Sequence, residues 1–124
     1  MELRRTPEVN DAHPRKLLIL FIELLELVGA DWQEQRRWCE RRDYPIDEIC
    51  QTLLYTAPAR AKYLHGKSLL TDAEVADVTR LSTLMNEILD KSLVMTWEQV
   101  AESEEWCRMR AAAKDVASHL KKKL

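Results

Sequence analysis

The chain has 124 residues, 19 of them basic and 21 acidic, for a net charge of −2. That length fits one domain and buries roughly two-thirds of its unfolded surface without help from disulfides or metal. With 46% hydrophobic and 32% charged residues, the composition excludes a disordered chain. The near-balanced charge excludes a global field for nucleic acid or anionic lipid, so any such patch has to be local.

Only two glycines and four prolines occur. Strands need turn residues at short intervals, so this scarcity favours helices. The expected fold is all-α: a compact bundle of four main helices plus one or two short ones. Cys39, Cys50 and Cys107 are widely spaced, with no CxxC pair or Cys/His cluster. No metal and no cofactor are therefore expected, and the thiols read as those of a reduced, cytoplasmic protein.

Residues 1–12 are polar and read as a flexible N-terminal arm, ahead of a single helical domain over 13–124. The first helix is expected to start near His13 or Pro14, with Asn10 or Asp11 as cap, and to end at Gly29. Within it, ten of the twelve residues from Leu17 to Val28 are apolar. This run is shorter than the ~18 residues a bilayer span requires, and Glu23 and Glu26 are foreign to a secretory core, so a soluble protein without a membrane role is expected. Glu23 and Glu26 lie close together on the helical wheel, leaving an apolar arc of roughly 220°, wider than packing on one side needs. Such a helix is either central or shared with a partner. Leu18, Ile22 and Leu25 are its candidate interface residues.

Asp31-Trp32-Gln33-Glu34 has the pattern of a capping box and opens a very polar second helix running to about Arg42. Tyr44-Pro45 breaks the chain. Ile46, Ile49, Cys50, Leu53 and Leu54 then form one apolar helical face. Pro58 is expected to interrupt or kink that helix, followed by a short turn carrying Tyr63 and Leu64 and closed by Gly66. A second capping box, Thr71-Asp72-Ala73-Glu74, starts the best-defined helix. There Val75, Val78, Leu81, Met85, Ile88 and Leu89 recur at three- and four-residue steps to about Lys91. Thr96-Trp97-Glu98-Gln99 caps a short helix. Ser103 starts the last, lined by Trp106, Met109, Ala113, Val116, Ala117 and Leu120, with Lys121, Lys122 and Lys123 at its negative end.

Two segments carry a family resemblance. Arg60-Ala61-Lys62-Tyr63-Leu64-His65 resembles the arginine–histidine motif of HEPN-type ribonucleases, small helical domains. The resemblance implies Arg60 holding a phosphate and His65 handling a proton, which requires both on one helical surface. It covers two residues, and Ala61 stands where that family has a polar residue. Val75-Ala76-Asp77-Val78-Thr79-Arg80-Leu81-Ser82 is similar to the first part of a helix-turn-helix DNA reader. Arg80 stands at the turn position that glycine fills there, and a continuous helix accounts for every residue.

Arg36, Arg37, Arg41 and Arg42 crowd the second helix beside Trp32 and Trp38, a grouping that could clamp phosphates and stack on unpaired bases. Glu34, Glu40 and Asp43 can instead neutralise it locally. Trp38 sits about 240° around the wheel from Trp32, so it is a candidate interface anchor. His13, His65 and His119 are far apart in sequence and read as surface or capping residues.

The leading expectation is a non-enzymatic helical interaction protein: an adaptor, an inhibitor or immunity-type protein, or an assembly subunit, self-associating or bound to a protein partner. The alternative is a nucleic-acid-associated role carried by Arg36, Arg37, Arg41, Arg42 and Lys121, Lys122 and Lys123. Small helical subunits of CRISPR effector complexes are similar in build to this chain, with no shared motif. A HEPN-like ribonuclease using Arg60 and His65 ranks third.

Overall fold

The computed structural model describes residues 13–94 and 96–124; the expected arm over 1–12 lies outside them. Among the described residues there are six helices and no strand. In chain order they are α1 (Pro14–Val28), α2 (Trp32–Arg41), α3 (48–66), α4 (Asp72–Asp90), α5 (Trp97–Glu102) and α6 (Glu104–Lys121). The all-α expectation stands, with five helices of seven or more residues where four main ones were expected.

The extra helical length comes from α3, which does not stop at Pro58. Its α-helical turns, Glu48–Gln51 and Ala57–Gly66, are joined by a π-turn over Thr52–Thr56. The Ala57 N–H reaches back five residues to the Thr52 carbonyl. Pro58 has no N–H to continue that pattern, which would orphan the Leu53 carbonyl. Ser82 of α4 donates its hydroxyl to that carbonyl at 2.8 Å. The proline is thus absorbed by widening one turn and borrowing a donor from a neighbouring helix.

Helix starts follow the sequence at two of three predicted boxes. Thr71 and Thr96 each cap their helix, with Glu74 and Gln99 reaching back to the cap amide. Asp31 makes no side-chain cap bond, and the Glu34 side chain that would complete the box pairs with Arg37 instead. Three helices end alike. Asp43, Ser68 and Ser92 take left-handed conformations with φ of 57°, 63° and 56°. At each, the next amide, from Tyr44, Leu69 and Leu93, bonds a carbonyl five residues earlier. This is a C-terminal motif that ordinarily uses glycine.

Gly29, which ends α1, serves a different purpose. Its φ is an ordinary −90°, but a β-carbon there would sit 2.8 Å from the Lys114 backbone nitrogen. The glycine lets the end of α1 lie directly against the backbone of α6, beside the small residues Ala113 and Ala117, both buried.

α6 packs between α1 and α4, α3 lies against α1 and α4, and α2 and α5 meet at the periphery. The buried residues form one cluster. Trp106 lies at its heart, fully buried, with its indole N–H donated to the Leu93 carbonyl at 2.9 Å. Two cysteines, Cys39 and Cys50, are buried and the third, Cys107, is exposed; all are free thiols. Burial pushes the Cys50 thiol up to about 12, and Cys39 is raised for the same reason.

α4 runs without interruption through Arg80, whose side chain is exposed and paired with Asp77 at 3.4 Å. The turn of a helix-turn-helix reader is therefore absent, as the unbroken apolar spacing requires. No described helix is long and apolar enough to cross a membrane.

Candidate functional site

The broad apolar arc of α1 divides into an inward and an outward part. Leu18, Phe21, Ile22, Leu25 and Val28 face inward, all at most 2% exposed. This corrects the expectation that Leu18, Ile22 and Leu25 offer an interface: the chain's own core consumes them. The apolar residues of α1 left outside are Ile19 and Leu20, at 36% and 41% exposure. Lys16 and Glu23 are exposed one turn to either side. Neither has an ion pair among the described residues.

Leu17 and Leu20 also form one wall of a groove of about 270 Å³ against α3, whose wall is Ala59, Arg60, Tyr63 and Leu64. Arg60 is exposed at its edge, with no ion pair among the described residues. Lys67 lies over the Tyr63 ring at 5.6 Å. The surface is thus an apolar strip with a basic margin on α3 and charges of both signs on α1.

The ribonuclease-like pair is not brought together. Arg60 and His65 are five residues apart on one helix, which separates them by about 140° around the axis and about 7.5 Å along it. Arg60 turns to the groove, whereas His65 bonds Asp72 at the start of α4, at 2.6 Å. Phosphate and proton handling at one point needs both groups on one surface, and this geometry does not supply it.

The arginine-rich helix is exposed but largely engaged. Arg36 pairs with Glu40 at 2.9 Å, and Arg37 pairs with Glu34. The Arg37 guanidinium beside it holds the Glu34 carboxyl below the usual carboxylate range. Arg42 donates to the Trp38 carbonyl at 3.3 Å and lies over the Trp38 ring at 4.7 Å. Tyr44 covers the same indole with ring centroids 5.4 Å apart. Neither Arg41 nor Arg42 has an acidic partner among the described residues, so two of the four are paired with carboxylates. Trp38 is only partly exposed and packs against the core, so its ring is occupied by neighbours within the chain.

The lysine tail is divided too. Lys121 bridges to Glu26 at 2.6 Å and Lys123 to Glu74 at 2.6 Å, while Lys122 is exposed without an ion pair among the described residues. Glu74 is a residue that the sequence marks only as a cap. It is 6% exposed, accepting from the Thr71 amide at 2.8 Å, His119 at 2.8 Å and Lys123 at 2.6 Å. Burial alone would raise its carboxyl, but the bonds from Lys123, Thr71 and His119 outweigh that and bring it down to about 2. The cluster locks the start of α4 to the end of α6.

Gln35 was likewise missed. Fully buried, it donates to the Leu27 and Val28 carbonyls at 3.3 and 2.8 Å, capping the end of α1 from α2. Its position on the inward face of α2, with Cys39 one turn on, is the signal that could have found it.

A larger cleft of about 460 Å³ lies where α1 turns into α2, between Gly29, Asp31 and Lys114. Of its charged lining, Glu26 and Lys121 pair with each other and Glu34 is held by Arg37 outside the cleft, which leaves Asp31 and Lys114 without an ion pair among the described residues. Among the described residues, no group of three or more His, Cys, Asp or Glu could hold a metal ion. Comparison with protein families, with curated proteins and with solved structures finds no match.

Proposed function

We propose that this protein acts by binding another protein chain, not by chemistry, and that it self-associates. The observation carrying this reading is the outward strip of α1: Ile19 and Leu20 exposed beside the groove that Leu17 and Tyr63 line. Scattered apolar residues are normal on a surface, but here they are contiguous and bordered by charge, the pattern of an interaction site. An adaptor or an assembly subunit are the roles such a face serves.

Sedimentation of the full chain over a concentration series tests this. Concentration-dependent association that is lost in Leu20→Glu, with the helical content unchanged, is the expected result. A monomer at every concentration would sink the self-association reading.

A nucleic-acid role draws less support, since Arg36 and Arg37 have acidic partners within their own helix and Trp38 is covered. Anisotropy titration against single- and double-stranded DNA and RNA separates the two readings. Affinity that falls steeply with salt and disappears in Arg37→Glu/Arg41→Glu would put nucleic acid first.

A further inference from the structure

We infer that the occupant of the α1 strip is the α1 strip of a second copy, running antiparallel across a two-fold axis between Ile19 and Leu20. This rests on the self-association reading and adds its geometry.

The argument is one of symmetry and charge. Lys16, Leu20, Glu23 and Leu27 fall on one side of the wheel of α1, opposite the buried side, with Ile19 at its border. Lys16 and Glu23 are seven residues apart, so each lies about 5 Å along the axis from the midpoint between Ile19 and Leu20, on opposite sides. A two-fold axis through that midpoint reverses the helix and sets Lys16 of one copy against Glu23 of the other, twice. It also sets Ile19 against Leu20 at the centre. A two-fold contact uses the same patch on both copies and must be self-complementary, which this strip is.

The parallel alternative stacks Lys16 on Lys16 and Glu23 on Glu23, like charge against like. Lys16 and Glu23 are both exposed and have no ion pair among the described residues, unlike Glu26, which Lys121 holds at 2.6 Å. The pair thus remains free for an intermolecular contact.

Sedimentation velocity on the full chain, from low micromolar to several hundred micromolar, with charge exchange at the two positions, tests the geometry. Lys16→Glu alone and Glu23→Lys alone should each weaken dimerisation by roughly three- to tenfold, because each turns both intermolecular pairs repulsive. The double exchange Lys16→Glu/Glu23→Lys should return to the wild-type constant. Added salt should weaken the wild-type dimer and strengthen the single variants.

A dimer that Leu20→Glu abolishes but the double exchange fails to restore would overturn the antiparallel register while leaving self-association standing. A dimer indifferent to Leu20→Glu would place the contact elsewhere and overturn the inference. A wild-type chain monomeric throughout would remove both readings and leave the strip to a different partner.

Discussion

α1 and α2 are neighbours in the chain and differ in where their polar and apolar groups find satisfaction. α2 carries more charge, yet Arg36 and Arg37 meet acids within the same helix, and Arg42 folds over Trp38. α1 depends on others: Gln35 caps it, Lys121 takes Glu26, and its glycine end rests on the backbone of α6. What it does not hand to the core it leaves facing outward. Charge density along a sequence is therefore a poor guide to availability. The crowded helix pairs two of its arginines internally, and the one with two acids leaves Lys16 and Glu23 without an ion pair among the described residues.

The largest effect that tests this division compares adjacent residues of α1. Phe21→Ala should cost about 3–5 kcal/mol in denaturant unfolding, because Phe21 is fully buried. Leu20→Ala should stay within about 0.5 kcal/mol. Comparable losses at both positions would mean the outward face is not free.

Acid titration sharpens the contrast between locally paired charges and those tied across the fold. The Glu74 carboxyl, depressed to about 2, stabilises the fold fully above the ordinary carboxylate value near 4.5, and that contribution is lost as pH falls towards 2. The loss should reach roughly 3 kcal/mol, measured as a falling Tm between about pH 5 and pH 2. Glu74→Gln can still accept from the Thr71 amide but carries no charge, so it should flatten this acid limb. An unchanged limb would assign acid sensitivity to other carboxylates.

The smallest effects compare the ends of the two helices, and they should have opposite signs. Gly29→Ala should destabilise by about 1–3 kcal/mol, since its β-carbon meets the Lys114 backbone nitrogen at 2.8 Å. Asp43→Gly, at a φ of 57°, should stabilise by roughly 0.5–1 kcal/mol. Thermal unfolding of both variants reads the pair. Equal signs would mean that both ends are set by backbone conformation alone.

Much of this fold was legible in the sequence because its signals are local. The Thr71 and Thr96 boxes, the stop at Gly29 and the apolar spacing of α4 each involve residues within a turn or two of one another. The direction of the α1 arc was not legible. Which of Leu18 or Leu20 faces inward depends on where α6 and α3 lie, and that is long-range information. Glu74 read as a cap and is one, but its bonds to His119 and Lys123 span some 45 residues or more. Asp31 illustrates the reverse error: the box pattern is present, yet Asp31 makes no cap bond and its glutamate pairs with Arg37. Arg60 and His65 look close as letters yet stand on different sides of one helix.

The uneven placement of the thiols gives the molecule a built-in reporter. Cys39 and Cys50 are buried, with burial holding both in the protonated form, while Cys107 is exposed on α6. A thiol-reactive dye added to the folded chain labels one defined position, remote from the α1 strip in sequence. The two silent thiols become reactive only as the core opens, so counting labelled sites over time reads the opening rate of the bundle without any engineered probe.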